Sequence, residues 1–445
     1  MKNFRTAPLD ESTLPKGIPY IIGNEAAERF SYYGMRAVLV VFMTQYLVNT
    51  AGQPDYMSAD EAKGWFHLFV SAVYFTPLLG ALISDGFLGK YRTIITLSLV
   101  YTLGHFALAL DDSRIGLAIG LGLIALGAGG IKPCVSAHVG DQFSKTNSHL
   151  LPRVFGWFYF SINLGAFSST LLIPWILETY GSAAAFGIPG ILMLLATIIF
   201  WSGRYRFVHI PPGGKHFVSE ALSSDGLKVV ARLSVLYLFV AMFWALFDQT
   251  ASSWVLQAEK MDRTLFGIEL LSSQLQAANP LLVMLLIPIF TYLIYPAINK
   301  VFALTALRKI SIGLFITVFA FGISAITQEK IDAGFTPHIS WQILAYFVLT
   351  SAEVMISITC LEFSYTQAPA KMKSFIMAFF MMSIAIGNLF TSFVNFFIKN
   401  EDGASKLAGA DYFWFFTLLM LITAIAFIFV AKNYKEKIYL QKEFA

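Results

Sequence analysis

The sequence predicts an all-α polytopic membrane protein with twelve transmembrane helices in two six-helix bundles. Of its 445 residues, 57% are hydrophobic and 13% are charged, whereas charged residues make up about 25% of a soluble domain. Apolar segments long enough to cross about 30 Å of hydrocarbon recur twelve times. A long polar connection after the sixth segment divides the chain into two halves.

The twelve predicted spans are apolar stretches separated by polar connections. They lie at about 18–48, 61–84, 92–110, 114–138, 153–177, 184–203, 232–256, 272–298, 308–327, 340–364, 374–398 and 411–431. The longest connection carries a Pro-Pro-Gly-Gly run at 211–214. We therefore expect an N-terminal bundle at 1–203, a cytoplasmic linker at 204–230, and a C-terminal bundle with a short cytoplasmic tail at 231–445.

The positions of Lys and Arg predict the orientation in the membrane. Most of the 31 basic residues fall in connections on the side that holds both chain ends. Because basic residues are retained on the cytoplasmic side, both termini are expected in the cytoplasm. The first 16 residues are polar and lack a cleavable apolar region, so the first span is expected to act as an uncleaved insertion signal.

Charge and cysteine content argue against several classes of partner. The net charge is +4, but the basic residues are dispersed, without the cluster that a nucleic-acid backbone requires. The two cysteines, Cys134 and Cys360, both lie in apolar spans. We interpret them as buried thiols rather than as part of a metal site or a disulfide.

Polar residues follow one face of the first predicted span. They are Glu25, Glu28, Arg29, Tyr32, Tyr33 and Arg36. At 100° per residue they lie within an arc of about 140°. An ionised group near the bilayer centre costs roughly 3 kcal/mol, so four on one helix need an aqueous cavity or opposite charges. This face is therefore expected to line a pathway or a site.

Ionisable residues inside the spans recur at every third helix. They are Glu25, Glu28, Arg29 and Arg36 on helix 1, Lys132 on helix 4, Asp248 on helix 7, and Glu353 and Glu362 on helix 10. Four three-helix repeats produce a period of three when the first helix of each repeat faces a shared cavity. The sequence therefore predicts that these charges converge on a central cavity surrounded by the two bundles.

The connection between helices 2 and 3 combines acidic, glycine and basic residues. It reads Gly80-Ala-Leu-Ile-Ser-Asp85-Gly-Phe-Leu-Gly89-Lys90-Tyr-Arg92. This segment resembles the cytoplasmic signature of the major facilitator superfamily, which implies the major facilitator fold. The alternative interpretation is an ordinary turn with a basic cytoplasmic flank.

Five motifs between helix 1 and helix 11 resemble the proton-dependent oligopeptide transporter (POT) family. They are the stripe from Glu25 to Arg36, the segment from Gly127-Ala-Gly-Gly-Ile-Lys132 to Phe143, Phe158-Tyr-Phe-Ser-Ile-Asn163-Leu-Gly165, Phe243-Trp244-Ala-Leu-Phe-Asp248-Gln249 and Leu361-Glu362-Phe-Ser-Tyr365-Thr-Gln-Ala-Pro369. Their shared order makes the resemblance specific. It implies a symporter that imports di- and tripeptides with protons by alternating access. We also expect the protein to function as a monomer in the lipid bilayer. No enzymatic activity, and no cofactor besides the co-transported proton, is expected.

A di- or tripeptide carries a carboxylate at one end and an ammonium at the other, so a tolerant site must hold both ends by charge. Arg29 can bind the carboxylate through its planar fork, and Lys132 can contribute a point charge. Glu362, with the amide oxygens of Asn163 and Asn279, can receive the ammonium. The resemblance implies the same roles. It also implies a pocket lined by Tyr32, Tyr33, Tyr74 and Trp244.

Intramembrane carboxylates are the candidates for proton coupling. Glu25, Glu28 and Asp248 can change charge on occlusion, because desolvation favours the neutral form and a paired cation favours the ionised form. Arg29, Arg36 and Lys132 are the cations that can pair with them. The resemblance implies that the Glu-x-x-Glu-Arg segment of helix 1 is linked to protons.

Several of these residues also have a structural interpretation. Lys132 and Asp248 can form a structural ion pair, and the resemblance implies that this pair closes an outer gate until Asp248 is protonated. Asn163 and Asn279 can be ordinary interhelical hydrogen-bonding residues. His67 resembles a histidine linked to proton binding in animal peptide transporters, whereas a lone histidine at a membrane interface is often structural.

Other features restrict these expectations. Glu353 lies nine residues before Glu362, half a helical turn out of phase, so the sequence favours Glu362 alone for the cavity. Phe380 stands where the POT family often has Trp. The linker has no room for two additional spans, and the loop at 328–338 has no room for an extracellular domain. The short linker departs from many bacterial members of the family, which carry two additional helices there, but the short outer loop favours a bacterial inner-membrane protein over an animal one.

Other functions are the alternatives to peptide transport. A related transporter could carry an amino acid, nitrate or a peptide-like metabolite, although Glu362 together with Arg29 and Lys132 favours a zwitterion. A channel is disfavoured because ion pairs would block it. The glycine-rich run before Lys132 lacks the Gly-Lys-Ser/Thr ending of a phosphate loop and lies inside a span, so an ATP-driven pump is disfavoured. An intramembrane enzyme is disfavoured because the sequence shows no matched pair of nucleophile and general base.

Overall fold

The computed structural model describes residues 4–212, 224–367, 373–398 and 405–434. In the first half of the chain the helices are α1 (Ile18–Gln45), α2 (Ala59–Ile83), α3 (Lys90–Leu110), α4 (Arg114–Gly140), α5 (Leu151–Tyr180) and α6 (Ser182–Ser202). In the second half they are α7 (Ser224–Phe247), α8 (Ser253–Ala258), α9 (Ala278–Ile289), α10 (Tyr295–Asn299), α11 (Ala306–Asp332), α12 (Ser340–Thr366), α13 (Lys373–Phe397) and α14 (Ala410–Asn433).

Short elements join these helices. Three are 3-10 helices, at Ser148–Leu150, Asp248–Ala251 and Ser272–Ala277, and two are π-helical turns, at Ser84–Leu88 and Phe290–Ile294. Strands β1 (Thr264–Leu265) and β2 (Ile268–Glu269) form an antiparallel hairpin. Its turn uses positive φ angles at Phe266 and Gly267. Residues 213–223 of the predicted linker, and the predicted tail from 435 onward, lie outside the described residues.

The helices have the lengths that a bilayer requires. Within the described ranges, eleven helical segments are long and apolar enough to cross a membrane. Helix α1, with 28 residues, is also long enough, but its four charged side chains make it less apolar than the others. The prediction of an all-α polytopic membrane protein is confirmed.

The chain divides into two compact units. The first comprises Met1–Met57 and Ala72–Ser223, and the second comprises Ser58–Ser71 and Ser224–Ala445. The division after residue 223 falls inside the predicted linker. The units differ from the predicted bundles in one respect, because the first half of α2 belongs to the second unit.

In the first unit, α1 packs against α5 and α6, while α3 packs against α4 and α6. Small residues allow close contact between α1 and α5, since a Cβ atom on Gly165 would lie 2.8 Å from the carbonyl oxygen of Ala26. The hydroxyl of Ser31 donates a hydrogen bond of 2.9 Å to the carbonyl oxygen of Pro189 on α6. These contacts turn the polar face of α1 towards the interior of the unit.

In the second unit, α7 packs against α13, and α11 packs against α12 and α14. A Cβ atom on Gly387 would lie 2.8 Å from the backbone nitrogen of Ala245, so α13 and α7 are in close contact. The hydroxyl of Thr391 donates a hydrogen bond of 3.0 Å to the carbonyl oxygen of Ala245. The close packing at Gly387 brings the residue that follows it, Asn388, beside Asp248.

The predicted seventh span is not one continuous helix. Helix α7 is followed by the 3-10 helix Asp248–Ala251, and α8 starts after Ser252, whose φ and ψ angles are −133° and −87°. Side chains of α12 bind backbone carbonyls around this break. Tyr346 donates to the carbonyl oxygen of Thr250 at 3.2 Å, and the amide of Gln342 donates to that of Trp254 at 2.8 Å. These bonds satisfy polar groups that lipid could not.

Candidate functional site

Four charged residues of the first unit form a buried cluster. They are Glu25, Glu28 and Arg29 of α1 and Lys132 of α4, and they are called the charge cluster below. The guanidinium Nε of Arg29 lies 2.7 Å from a carboxylate oxygen of Glu25 and 3.1 Å from one of Glu28. The ammonium of Lys132 lies 3.9 Å from the other oxygen of Glu28. Two cations thus face two carboxylates, and the formal charges cancel.

Glycines on α4 position Lys132. A Cβ atom on Gly127 would lie 2.6 Å from the Cβ atom of Tyr101 on α3. A Cβ atom on Gly129 would overlap the hydroxyl of Thr76 on α2. Any larger side chain at these positions would push α4 away from its neighbours. The glycine-rich run that precedes Lys132 is therefore a packing surface.

Tyrosines surround the ammonium of Lys132. It lies 4.2 Å from the ring centroid of Tyr32 and 5.7 Å from that of Tyr74. The rings of Tyr32 and Tyr33 meet edge to face at 5.4 Å. A cation over an aromatic face is stabilised by about 0.5–2 kcal/mol. The three tyrosines predicted to line the pocket therefore lie next to the charge cluster.

The charge cluster has unused hydrogen-bonding capacity. Among the described residues, neither carboxylate oxygen of Glu28 accepts a hydrogen bond, and the ammonium of Lys132 donates none. The side-chain nitrogen and oxygen of the buried Asn24 also have no hydrogen-bond partner there. Buried polar groups are normally hydrogen-bonded. These atoms can therefore receive polar groups of a ligand or water.

Two other predicted residues of the first unit lie on α1 and α5. Arg36, two helical turns after Arg29 on α1, is half-buried. Asn163 on α5 is buried, and its amide nitrogen donates to the carbonyl oxygen of Tyr159 at 2.9 Å. That bond uses the amide nitrogen and does not involve the amide oxygen, which is the atom predicted to receive an ammonium.

The carboxylates of α12 lie in different surroundings. Glu353 is half-buried and accepts a hydrogen bond of 2.7 Å from the amide of Asn279, which also donates to the hydroxyl of Thr350 at 3.2 Å. Glu362 is exposed. The sequence favoured Glu362, and the structure adds that Asn279 contacts Glu353. Trp244 on α7 is buried.

His67, Asn388, Asp248 and Ser252 form a hydrogen-bonded group in the second unit, called the amide network below. The Nδ1 atom of His67 lies 2.7 Å from the amide oxygen of Asn388, and its Nε2 lies 2.9 Å from the hydroxyl of Ser252. The amide nitrogen of Asn388 donates to a carboxylate oxygen of Asp248 at 2.6 Å. All four side chains are buried.

Asp248 belongs to the second unit and Lys132 to the first, so the predicted ion pair between them stays a prediction.

Sequence reasoning did not single out Asn388 or Ser252. The signal for Asn388 is present, because Asn388, Thr391, Ser392 and Asn395 follow the i, i+3, i+4, i+7 spacing of one helical face in an apolar span. This stripe carries no charge, so the pattern of ionisable residues does not reveal it.

Known proteins resemble the chain along most of its length. The PTR2 profile of the POT family matches residues 91–223 and 216–415. Solute carrier family 15 member 2 of Mus musculus is 37% identical over 404 residues, which cover 80% of this chain and 54% of that protein. Peptide transporter family 1 of Drosophila melanogaster is 37% identical over 365 residues, covering 72% and 48%. The chain thus spans about half the length of these curated relatives.

Solved structures of POT family transporters resemble this chain in fold. The in meso crystal structure of the POT family transporter PepTSo has a TM-score of 0.87 and 38% identity, covering 95% of this chain and 99% of that one. An auto-inhibited POT family peptide transporter has a TM-score of 0.85 and 36% identity, covering 96% and 99%. The fold is therefore of the major facilitator type. The chain belongs to the proton-dependent oligopeptide transporter (POT) family.

Proposed function

We propose that the chain is a proton-coupled symporter that imports di- and tripeptides by alternating access of its predicted bundles, 1–203 and 231–445. Family membership supports this proposal, as do relatives that carry the name of peptide transporters. The observation that carries it is the charge cluster. Its two cations and two carboxylates are buried together, so a change of one proton alters which partners the cations have.

The peptide carboxylate is proposed to bind Arg29 and Lys132. Both ion pairs of Arg29 use its Nε atom, and within the described part of the chain no ion pair involves its two terminal nitrogens. These nitrogens can form the two parallel hydrogen bonds that a carboxylate accepts from a guanidinium. Lys132, already beside Tyr32 and Tyr74, adds a positive charge.

Protonation of Glu25 or Glu28 is proposed to release these cations for the peptide. While both carboxylates are ionised, they neutralise Arg29 and Lys132. When one takes a proton, a net positive charge remains in a buried site, and a peptide carboxylate can neutralise it. Peptide and proton then enter together, which is the requirement for symport.

The peptide ammonium is proposed to bind Glu362 with the amide oxygens of Asn163 and Asn279. The exposed side chain of Glu362 is accessible to a ligand. The amide nitrogen of Asn279 donates to Thr350 and Glu353, so the amide oxygen can accept a hydrogen bond from an ammonium. Tyr33 and Trp244 are proposed to contact peptide side chains.

The remaining proposals concern the setting. We infer a bacterial inner-membrane protein with both termini in the cytoplasm that functions as a monomer without a prosthetic cofactor. One proton supplies about 2.3 kcal/mol per 100 mV and about 1.4 kcal/mol per pH unit. Together these amounts support an accumulation of a neutral peptide of about a few hundred-fold.

Uptake of labelled dialanine into proteoliposomes tests the function. An inward proton gradient should drive concentrative uptake without ATP, and a protonophore should abolish it. Excess unlabelled dialanine should compete, whereas nitrate and single amino acids should not. Concentrative uptake that persists with the protonophore would contradict proton coupling, and competition by nitrate or an amino acid alone would favour the alternative substrate.

Two matched variants on α12 test the ammonium site. Glu362→Gln should weaken dialanine affinity about 10- to 100-fold, because a charge-assisted hydrogen bond contributes about 1.5–3 kcal/mol. Glu353→Gln is the control for loss of a carboxylate from the same helix. If only Glu353→Gln weakens affinity, the ammonium partner is the carboxylate beside Asn279.

A further inference from the structure

A neutral residue, Asn388, lies between the two titratable members of the amide network. It is buried on α13, between His67 of α2 and Asp248 of the seventh span. Its oxygen faces Nδ1 of His67 at 2.7 Å, and its nitrogen faces a carboxylate oxygen of Asp248 at 2.6 Å. The same nitrogen lies 3.0 Å from the carbonyl oxygen of Ile384. The proposed function gives Asn388 no role.

The surroundings of Asn388 fix the orientation of its amide group. The carbonyl oxygen of Ile384 can only accept a hydrogen bond, and so can an ionised Asp248. The amide carries both of its hydrogens on nitrogen, and each of these acceptors uses one. Rotation of the amide by 180° would place its oxygen against both acceptors and would lose both bonds. The amide oxygen is therefore directed at His67.

This orientation determines where neutral His67 carries its hydrogen. The amide oxygen of Asn388 can only accept, so Nδ1 of His67 must donate to it. The opposite nitrogen, Nε2, then has a lone pair that accepts from the hydroxyl of Ser252. A neutral imidazole has one donor and one acceptor nitrogen, and here the acceptor is Nε2.

We propose that Asn388 is a positioning residue that holds hydrogen on Nδ1 of His67, so that Nε2 is the nitrogen at which His67 takes up a proton during transport, in addition to the protonation proposed at Glu25 or Glu28. The inference rests on the proposed proton-coupled transport. The same amide group donates to a carboxylate oxygen of Asp248, so Asn388 links the two titratable side chains of the network.

Protonation at Nε2 reverses one hydrogen bond. In neutral His67, the hydroxyl of Ser252 donates to Nε2, whereas in the imidazolium Nε2–H donates to the hydroxyl oxygen. Ser252 is the residue between the 3-10 helix and α8. The arrival of a proton thus changes the bond between the first half of α2 and the break in the seventh span.

Other ionisable groups lie on the elements that surround His67. On α2, Lys63 pairs with Asp60 at 2.9 Å, and the same ammonium lies 3.8 Å from the ring centroid of Tyr412 on α14. Asp248 is the carboxylate of the seventh span in the network. Lys63 is therefore paired with Asp60, and the amide of Asn388 joins the carboxylate of Asp248 to the ring of His67.

Nitrogen NMR of the full chain in lipid bilayers tests the position of the hydrogen directly. With ¹⁵N-labelled histidine at pH 8, the ring signals of His67 are identified by their absence in His67→Gln. We expect a neutral ring with hydrogen on Nδ1. In Asn388→Leu, at least half of the signal should move to the form with hydrogen on Nε2. Asn395→Leu, a buried asparagine two turns along α13, is the control and should leave the ring signals unchanged.

Hydrogen on Nε2 in the unaltered chain overturns the proposal, and so does an unchanged ring in Asn388→Leu. If Asn388→Leu does not fold, the spectrum of the unaltered chain still decides between the two forms. This experiment needs no transport, so its result stands even if peptide symport fails.

Transport separates a positioning role from a purely structural one. Asn388→Leu should lower the accumulation ratio of dialanine at least fivefold while peptide counterflow stays within twofold. In a His67→Gln background, adding Asn388→Leu should cause no further change in the dependence of uptake on external pH. A further shift in the double variant would overturn the proposal, because Asn388 would then act apart from His67. If the unaltered chain shows no proton-driven uptake, the proposed function itself fails.

Discussion

The charge cluster of the first unit and the amide network of the second unit both bury ionisable groups, but they satisfy them differently. In the charge cluster, ion pairs of 2.7, 3.1 and 3.9 Å join four charges, and Glu28 accepts no hydrogen bond from the described residues. In the amide network, directed hydrogen bonds of 2.6–2.9 Å pass through a neutral amide. Charges held by ion pairs can exchange partners, whereas directed hydrogen bonds fix where hydrogens lie.

The largest expected effect comes from removing the central cation of the charge cluster. Arg29→Ala leaves Glu25 and Glu28 without their nearest positive charge, and breaking a buried ion pair costs about 3–5 kcal/mol. We expect at least a 20-fold loss of dialanine uptake and a clear drop in the temperature of unfolding.

A double variant separates stability from binding in the same cluster. Glu25→Gln combined with Arg29→Gln removes one charge of each sign and should restore most of the unfolding temperature but not the uptake. Full uptake in either variant would contradict a peptide-binding role for Arg29.

A smaller effect is expected from exchanging one carboxylate of the amide network. Asp248→Asn keeps the size of the side chain, so the protein should fold, but the response of uptake to external pH should be reduced. Lys132→Ala should instead weaken peptide binding about tenfold, because its ammonium is part of the charge cluster.

Proton-driven uptake and peptide counterflow, measured on the same proteoliposomes, separate these two outcomes. An Asp248→Asn protein that concentrates peptide with normal pH dependence would exclude Asp248 as a coupling residue. Equal loss of binding in both variants would remove the distinction between cluster and network.

The smallest effect is expected from breaking a partly exposed ion pair outside both the charge cluster and the amide network, and it serves as a reference for their effects on stability. Lys90 and Asp141, at the ends of α3 and α4, lie 2.7 Å apart and are partly exposed. Burial raises the pKa of Asp141, and Lys90 opposes that rise. Lys90→Ala should cost at most about 1 kcal/mol at pH 7.

The pH dependence of that reference pair has a definite sign. Below the pKa of Asp141 its carboxyl is neutral, so the ion pair contributes at neutral pH and its contribution disappears as the pH falls through that value. Unfolding temperatures at pH 7 and pH 4, with the exposed Lys145→Ala as control, measure the difference. An equal loss at both pH values would mean that Lys90 acts through packing.

The fold was predictable because a bilayer leaves few choices. Each span must satisfy its own backbone hydrogen bonds, so long apolar segments are helices. The break at Ser252 was not predictable in this way, because the carbonyls around it are bound by Tyr346 and Gln342, which lie about ninety residues further along the chain. No local pattern around residue 252 records such distant partners.

The candidate site was predictable to the extent that one helix contains it. Glu25, Glu28 and Arg29 occupy one face at spacings of three and four, so their proximity follows from helix geometry. The distance between Lys132 and Glu28 depends on how closely α4 packs, which its glycines only suggest. Asn388 has no charge, and the sequence shows only that it lies on a polar face of its helix, because its partners His67 and Asp248 lie on other helices.

The break in the seventh span has a mechanical consequence. A continuous membrane helix resists bending because its main-chain hydrogen bonds must stretch where no water can replace them. At Ser252 the helix is already interrupted, and the hydroxyl of Tyr346 holds the carbonyl of Thr250. The stiffness of the joint is therefore set in part by a side chain of another helix, so a single hydroxyl group can tune how easily the part of this span after Ser252 swings.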